Sequence, residues 1–195
     1  NILSLVPLLD RPEFAYLAPA AAEGTWYPYS FLAERDQNEP GLSSALAMLE
    51  RVVNDTVSGG VPIERIVLLG FSQGACLTAE FAAGHADRYG GVIVFTGGLI
   101  GPPGTTWPYP GTFKGTPVFL GSSDVDPHVP PIFLDEAAEL FPQAGEDVRA
   151  WRRNPSDEQP AAQGQRSSRR AVSSTQSWKR SKPRSVIPTP PAWPS

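Results

Sequence analysis

Hydrophobic residues follow two patterns along the first 150 positions, and together these predict alternating strands and helices. Short continuous apolar runs, typical of buried strands, lie at 14–18, 66–69, 92–95 and 118–120. A last strand is expected at 147–151. The run at 66–69 is rich in β-branched residues, which is typical of a central strand covered on both faces.

Helical spacing separates these runs. Apolar residues recur every three or four positions over 42–57, which predicts one buried helix face, and the Gly-Gly pair that follows should end the helix. Further helices are expected at 2–9, at 73–84 with a face of small residues, and around 133–140. Strands that alternate with helices indicate an α/β fold with a mostly parallel sheet flanked by helices. The loops at the carboxyl ends of such strands carry function.

The pattern stops after Trp151. Residues 152–195 contain no Leu or Phe, but they hold nine Ser and seven of the 22 Pro. This composition cannot bury enough apolar surface to offset chain entropy, so a disordered tail is expected after a domain at 1–151. The charge divides at nearly the same place. Residues 1–150 carry seven basic and eighteen acidic side chains, a net −11, whereas 151–195 carry nine and two, a net +7.

Composition also excludes several protein classes. No stretch approaches the ~20 apolar residues of a membrane-spanning helix. One cysteine, Cys76, excludes a disulfide framework and a cysteine-rich zinc site. Its position predicts a small buried packing residue. With no visible signal peptide, a cytoplasmic location is expected. The acidic main part argues against nucleic-acid binding.

Candidate chemistry lies in Gly70-Phe71-Ser72-Gln73-Gly74, which follows one predicted strand and opens a predicted helix. This is G-x-S-x-G in the setting of a nucleophile elbow. Side chains at either glycine should collide with neighbouring backbone, and the turn should present Ser72 at the positive end of the helix dipole. The backbone N–H of Gln73 would be one oxyanion donor. The alternative is a turn whose serine merely caps the helix.

A nucleophilic serine needs an orienting carboxylate later in the chain. Asp126 follows the predicted strand 118–120 and precedes Pro127, which fixes the chain beyond it. It is the candidate carboxylate, although a local turn is the alternative. Asp124 is expected to bond local backbone N–H groups instead.

The general base is harder to place, because neither histidine fits. His85 lies at the far end of the helix that Ser72 begins, where it should meet the last helical carbonyls. His128 lies only two residues after Asp126, too close to align carboxylate, imidazole and hydroxyl, and a loop role is preferred. No histidine follows residue 128.

Three segments together, 70–75, 97–100 and 124–130, resemble the phospholipase/carboxylesterase family of α/β-hydrolases, esterases related to the acyl-protein thioesterases. Residues 26–30 and 38–42 resemble its bacterial members. The resemblance implies an α/β-hydrolase sheet and hydrolysis of small carboxylic esters or thioesters through an acyl-enzyme, without metal or cofactor. It also implies that Ser72 is the nucleophile and that Asp126 orients the base.

The same resemblance suggests residues for an acyl or alcohol pocket. They are two aromatic and two aliphatic side chains: Trp26, Tyr27, Leu99 and Ile100. The alternative is that they anchor their loops by ordinary packing.

The chain departs from the family at both ends. It starts after the first strand and the His-Gly-x-Gly-like oxyanion loop, so the sheet is expected to be incomplete at its N-terminus. The catalytic histidine is expected in a Gly-x-Gly-His-like turn near 155–160, which here is Pro-Ser-Asp-Glu-Gln-Pro. We therefore expect a tail translated from a shifted frame and little or no esterase activity. The alternative is a non-catalytic hydrolase-like protein whose basic tail binds an anionic partner.

Overall fold

Four apolar runs pair in chain order into one parallel sheet. The computed structural model describes residues 2–109 and 113–123, Ala137 and Phe141, and the backbone of 148–153. Its strands are β1 (Val67–Phe71), β2 (Gly91–Phe95), β3 (Val118–Ser123) and β4 (Val148–Arg153). The spatial order is β1-β2-β3-β4, and every pairing is parallel. The predicted α/β class and parallel sheet are confirmed.

β1 differs from its prediction in position. Among the described residues it pairs only with β2, so it lies at an edge of the described sheet and not at the centre. Val67 is 36% exposed and Phe71 is 55% exposed. A continuous apolar run indicates a strand, but only its neighbours decide how many faces and edges are covered. The strand also continues through Gly70, which carries it directly into the motif.

The run 14–18 is not a strand, and that prediction was wrong. Phe14 is 45% exposed and Leu17 is 68% exposed. A strand needs a partner for its backbone groups, and none of the four described strands pairs with this segment. Its local contacts are those of a loop, such as the Tyr16 hydroxyl that donates to the Arg11 carbonyl at 3.1 Å.

The helices agree with the predicted pattern. After a 3-10 turn at Ile2–Leu5 come α1 (Val6–Leu9), α2 (Gly41–Ser58) and α3 (Gln73–Gly84). Ala137 and Phe141 are helical and fully buried, while the other residues of the helix predicted near 133–140 lie outside the described residues. Within the described part of the chain, no helix combines the length and apolar character needed to cross a membrane.

The described residues fall in one compact unit. β4 continues to Arg153, two residues past the predicted end of the domain at 151. The rest of the predicted tail lies outside the described residues.

α3 positions the motif because it packs against both β1 and β2. All nine residues of 75–83 are buried. Three residues of the predicted small face, Ala75, Ala79 and Ala83, pack with the sheet, whereas Cys76 lies in a different core cluster, so the prediction was wrong for that residue.

Two core clusters flank this helix. One lies between α3 and the sheet and includes Ala79, Val94 and Leu120. The other joins α2 and α3 to two loops, and its buried members are Tyr27, Phe31, Leu42, Ala45, Cys76, Leu77 and Ile100. The second cluster therefore ties both loops to the helix that follows Ser72.

Candidate active site

Ser72 forms the turn between β1 and α3 in a conformation that L-residues rarely adopt. Its φ is 54° and its ψ is −123°. Such strain persists only where surrounding structure fixes it. The Ser72 N–H donates to the Phe95 carbonyl at 3.0 Å, and the Ser72 carbonyl accepts from the Cys76 N–H at 3.1 Å. Backbone bonds on both sides therefore hold the turn.

The Ser72 side chain does not cap the helix. Ser72 is exposed, and its hydroxyl makes no capping hydrogen bond to the first turn of α3. The interpretation in which this serine is only a cap is therefore wrong. An exposed hydroxyl at the carboxyl end of a parallel strand and the start of a helix is placed to meet a substrate.

Only one of the two glycines of the motif lies where a side chain would collide. A Cβ at Gly70 would lie 2.2 Å from the Gly74 carbonyl oxygen and 2.5 Å from Thr78 Oγ1, which confirms the predicted collision. A Cβ at Gly74 would meet nothing within 4 Å, so the prediction was wrong there. The two backbones approach closely, but only the missing side chain of Gly70 points into the contact.

A second loop packs closely against the first turn of α3. A Cβ at Gly97, just beyond β2, would lie 2.5 Å from Ala75 Cβ and 2.8 Å from the Cys76 nitrogen. Thr96 has φ 56° and donates its N–H to the Gly121 carbonyl at 2.7 Å. The loop from Thr96 to Ile100, here called the β2 loop, therefore passes beside the turn that carries Ser72.

The backbone N–H and the side chain of Gln73 suit two different roles. As the first residue of α3, its N–H belongs to the first-turn donors that no helical carbonyl can accept, consistent with its predicted oxyanion role. Its side chain reaches another loop: Oε1 accepts from the Trp26 N–H at 2.9 Å, and Nε2 donates to the Tyr27 carbonyl at 2.9 Å. Sequence reasoning missed this contact, because nothing in the sequence links residues so far apart.

The four predicted pocket residues occupy different positions. Tyr27 and Ile100 meet in the second core cluster, whereas Leu99 belongs to the first. These three are at most 2% exposed, and Trp26 is half-buried. Such burial also suits the alternative of loop anchoring, and the pocket role stays a prediction.

Cys76 is a buried free thiol 2% exposed, as predicted. Burial raises its pKa, and the Gly98 backbone partly opposes that shift. The Tyr27 hydroxyl lies beside this thiol and has no hydrogen-bond partner of normal geometry among the described residues. Burial raises the Tyr27 pKa well above its ordinary range, with smaller effects from Cys76 and Glu80. Both groups are therefore protonated at neutral pH.

Glu80 carries a buried charge on α3 and is 2% exposed. Its Oε1 accepts from Arg35 Nη1 and from the Tyr109 hydroxyl, and its Oε2 accepts from the Ile100 N–H at 3.2 Å. Burial raises the pKa of Tyr109, and Glu80 raises it further. Burial alone would lower the Arg35 pKa, but the carboxylate more than compensates and raises it.

Sequence reasoning did not identify this network. A signal was present, because Glu80 is the one charged residue within 75–83, a stretch otherwise made of small, apolar and hydroxyl side chains. Charged side chains are almost never fully buried unless they are paired. Its partners could not be named from the sequence.

Of the candidate acids and bases for Ser72, only His85 belongs to the described residues. Asp124, Asp126 and His128 lie outside the described residues. His85 follows the end of α3, and its Nδ1 lies 3.1 Å from the Phe81 carbonyl, which confirms the predicted contact with the last helical carbonyls.

Comparison with known proteins shows the family of the chain. Residues 14–155 match the family model for phospholipase/carboxylesterase. A phospholipase/carboxylesterase from Dyadobacter fermentans shares 44% identity and a TM-score of 0.76, covering 79% of this chain and 74% of its own. The Bacillus cereus carboxylesterase shares the fold at 20% identity and a TM-score of 0.63, covering 80% of this chain and 74% of its own.

Curated relatives are more distant. Acyl-protein thioesterase 1 of Eremothecium gossypii is 30% identical over 135 residues, covering 67% of this chain and 49% of that protein. The Saccharomyces cerevisiae protein of the same name is 31% identical over 112 residues, covering 57% of this chain and 48% of its own length. The chain thus spans about half the length of these relatives. An elbow serine on a parallel sheet and a family match over most of the chain lead to one conclusion: the chain belongs to the phospholipase/carboxylesterase family.

Proposed function

We propose that Ser72 is the nucleophile of a serine hydrolase that acts on small carboxylic esters or thioesters. One observation carries this proposal: Ser72 is exposed on a strained strand-to-helix turn, and its side chain makes no capping hydrogen bond. The family supports ester hydrolysis, and the name of the acyl-protein thioesterase relatives supports thioesters as a second substrate class.

The proposed reaction forms and then breaks one acyl bond. Ser72 Oγ attacks the carbonyl carbon while its proton passes to a general base, and the oxyanion accepts the Gln73 N–H. Collapse expels the alcohol or thiol, which takes that proton, and leaves an acyl-enzyme. Water then attacks the acyl carbon and releases the acid and free Ser72. Asp126 is proposed to orient the base.

We also propose that the 195-residue chain performs this reaction poorly. His85 lies at the opposite end of α3 from Ser72, and no histidine follows residue 128. Loss of one triad member leaves a residual rate of roughly 10³–10⁴ over water. Slow acylation of Ser72 is therefore expected, without efficient turnover.

The test is incubation of the chain with excess p-nitrophenyl phosphonate, followed by peptide mass analysis. A phosphonyl adduct is expected on Ser72, absent in Ser72→Ala and retained in the control Ser44→Ala, an exposed serine on α2. An adduct confined to other residues would contradict the assignment of Ser72 as the nucleophile. Rapid hydrolysis of p-nitrophenyl butyrate that disappears in Ser72→Ala would contradict only the proposed impairment.

The location and the basic tail stay predictions. A single buried free cysteine is consistent with the cytoplasm, which we propose as the compartment. Binding of an anionic partner by the tail, 152–195, stays a prediction, and only the backbone of Arg152 and Arg153 in it belongs to the described part of the chain.

A further inference from the structure

The helix that begins after Ser72 carries a second polar side chain that reaches into a loop. Glu80 lies eight residues beyond Ser72, about 12 Å along the helix axis. Its carboxylate is buried and accepts three hydrogen bonds, from Arg35, Tyr109 and the Ile100 N–H. The three donors come from three separate stretches of chain, so one carboxylate joins them all to α3.

The Ile100 backbone depends on side chains for its hydrogen bonds. Its N–H donates to Glu80 Oε2 at 3.2 Å, and its carbonyl accepts from Arg35 Nη1 at 3.0 Å and from Trp107 Nε1 at 3.3 Å. Buried backbone groups require such partners. Glu80 also binds Arg35, so the N–H of Ile100 bonds the carboxylate itself and the carbonyl of Ile100 bonds a side chain that the carboxylate holds.

The other end of the β2 loop is fixed by the first turn of α3. Gly97 lies against Ala75 and the Cys76 nitrogen, and the Ser72 N–H bonds the Phe95 carbonyl just before the loop begins. The β2 loop is therefore attached at Ile100 to the Glu80 carboxylate and at Gly97 to the first turn of α3, beside the backbone that supports Ser72.

We propose that Glu80 is a positioning residue that fixes the β2 loop beside the nucleophile. Gln73 does the same for the loop at Trp26 and Tyr27, so both loops are attached to the helix that Ser72 begins. The proposal extends the proposed function and depends on it, because positioning has meaning only if Ser72 reacts. A leucine at position 80 would pack without the cost of burying a charge, but it would remove the carboxylate to which the Ile100 N–H, Arg35 and the Tyr109 hydroxyl donate.

The decisive variant is Glu80→Gln in the full chain, with Glu50→Gln as the matched control because Glu50 is 54% exposed on α2. Amide exchange is followed by mass spectrometry in the β2 loop and in β2. The amide variant replaces one carboxylate oxygen by a donor, so at least one of the three bonds is lost. Exchange in the β2 loop should become about tenfold faster, the order expected for one hydrogen bond to a charged group. Exchange in β2 should not change, nor should either segment in the control.

The second measurement is the rate at which p-nitrophenyl phosphonate modifies Ser72. Misplacement by about 1 Å can cost roughly 100-fold, so Glu80→Gln should slow the reaction by about 10–100-fold relative to the control. Loop exchange unchanged, or raised equally in β2, would overturn the positioning role while Ser72 still reacts. Failure of Ser72 to react even in the unsubstituted chain would instead overturn the proposed function, and this proposal with it.

A milder variant covers the case in which Glu80→Gln does not fold. Tyr109→Phe removes one donor to Glu80 and leaves the carboxylate with Arg35 and the Ile100 N–H. It should raise exchange in the β2 loop by a smaller factor, about threefold, since the Ile100 N–H keeps its acceptor. No change in this variant would contradict the network as the support of the loop.

Discussion

α2 and α3 are neighbouring helices that bury themselves in different ways. α2 has eighteen residues, of which only Leu42, Ala45 and Val53 are buried. α3 has twelve, and its residues 75–83 are all buried. An amphipathic helix tolerates change over most of its surface, whereas a helix enclosed by sheet and loops does not. Ser72, the proposed nucleophile, lies immediately before the enclosed helix.

The first turns of these helices differ as well. At α2, Glu39 accepts from the Ser43 N–H at 3.0 Å and from the Ser43 hydroxyl at 2.8 Å, so a side chain stabilises the turn. At α3, Ser72 makes no such bond. A polar side chain before α2 therefore stabilises its first turn, whereas the Ser72 side chain does not do so for α3.

The largest effect should come from the turn into α3. Gly70→Ala places a Cβ 2.2 Å from the Gly74 carbonyl oxygen, a contact that backbone cannot easily relieve. We expect a loss of about 3 kcal/mol in the free energy of unfolding, measured by urea denaturation. Gly74→Ala, which meets nothing within 4 Å, should be neutral or stabilising by up to about 1 kcal/mol. Equal losses of unfolding free energy in both variants would show that the close contact at Gly70 does not constrain the turn.

The next effect compares the same substitution on the two helices. Ala79→Leu enlarges a fully buried residue of α3 and should cost about 2 kcal/mol of unfolding free energy, because the surrounding core has no space for it. Ala47→Leu on the exposed face of α2 should change it by less than about 0.5 kcal/mol. Ala and Leu have similar helix propensities, so thermal denaturation of the pair isolates packing. If Ala79→Leu caused no loss of stability, the enclosed environment of α3 would be contradicted.

The smallest effect concerns the helix starts. Glu39→Ala removes the acceptor of both Ser43 bonds and should cost about 0.5–1 kcal/mol. Ser72→Ala removes a hydroxyl that caps nothing and should leave unfolding free energy unchanged within about 0.3 kcal/mol. Urea denaturation of both variants distinguishes the two roles. A clear loss in Ser72→Ala would restore a structural role for that hydroxyl.

The sequence was sufficient where local pattern decides the structure. Spacing of apolar residues located α2 and α3, and the glycine-bounded serine located the elbow at Ser72, because these depend on residues close in the chain. The same reasoning failed for 14–18 and for the edge position of β1. Both depend on which strand lies alongside, and apolar character alone does not carry that information.

Contacts across the site could not be predicted from the sequence for a related reason. Gln73 bonds a loop 47 residues earlier, and Arg35 reaches the Ile100 carbonyl 65 residues later. Gln and Arg are ordinary surface residues by type, so only the fold reveals that they converge. The lone glutamate inside an apolar helix was the single local indication that such a network exists.

The spatial order of the four strands equals their order in the chain, and this has a consequence for assembly. Each strand adds to the edge left by the one before it, and none of the described strands has to insert between two already paired. A ribosome releases the chain from the N-terminal side, so β1 and β2 can join before β3 has been synthesised. The elbow, its helix and the β2 loop could therefore assemble early, with the later strands extending a nucleus that already holds Ser72.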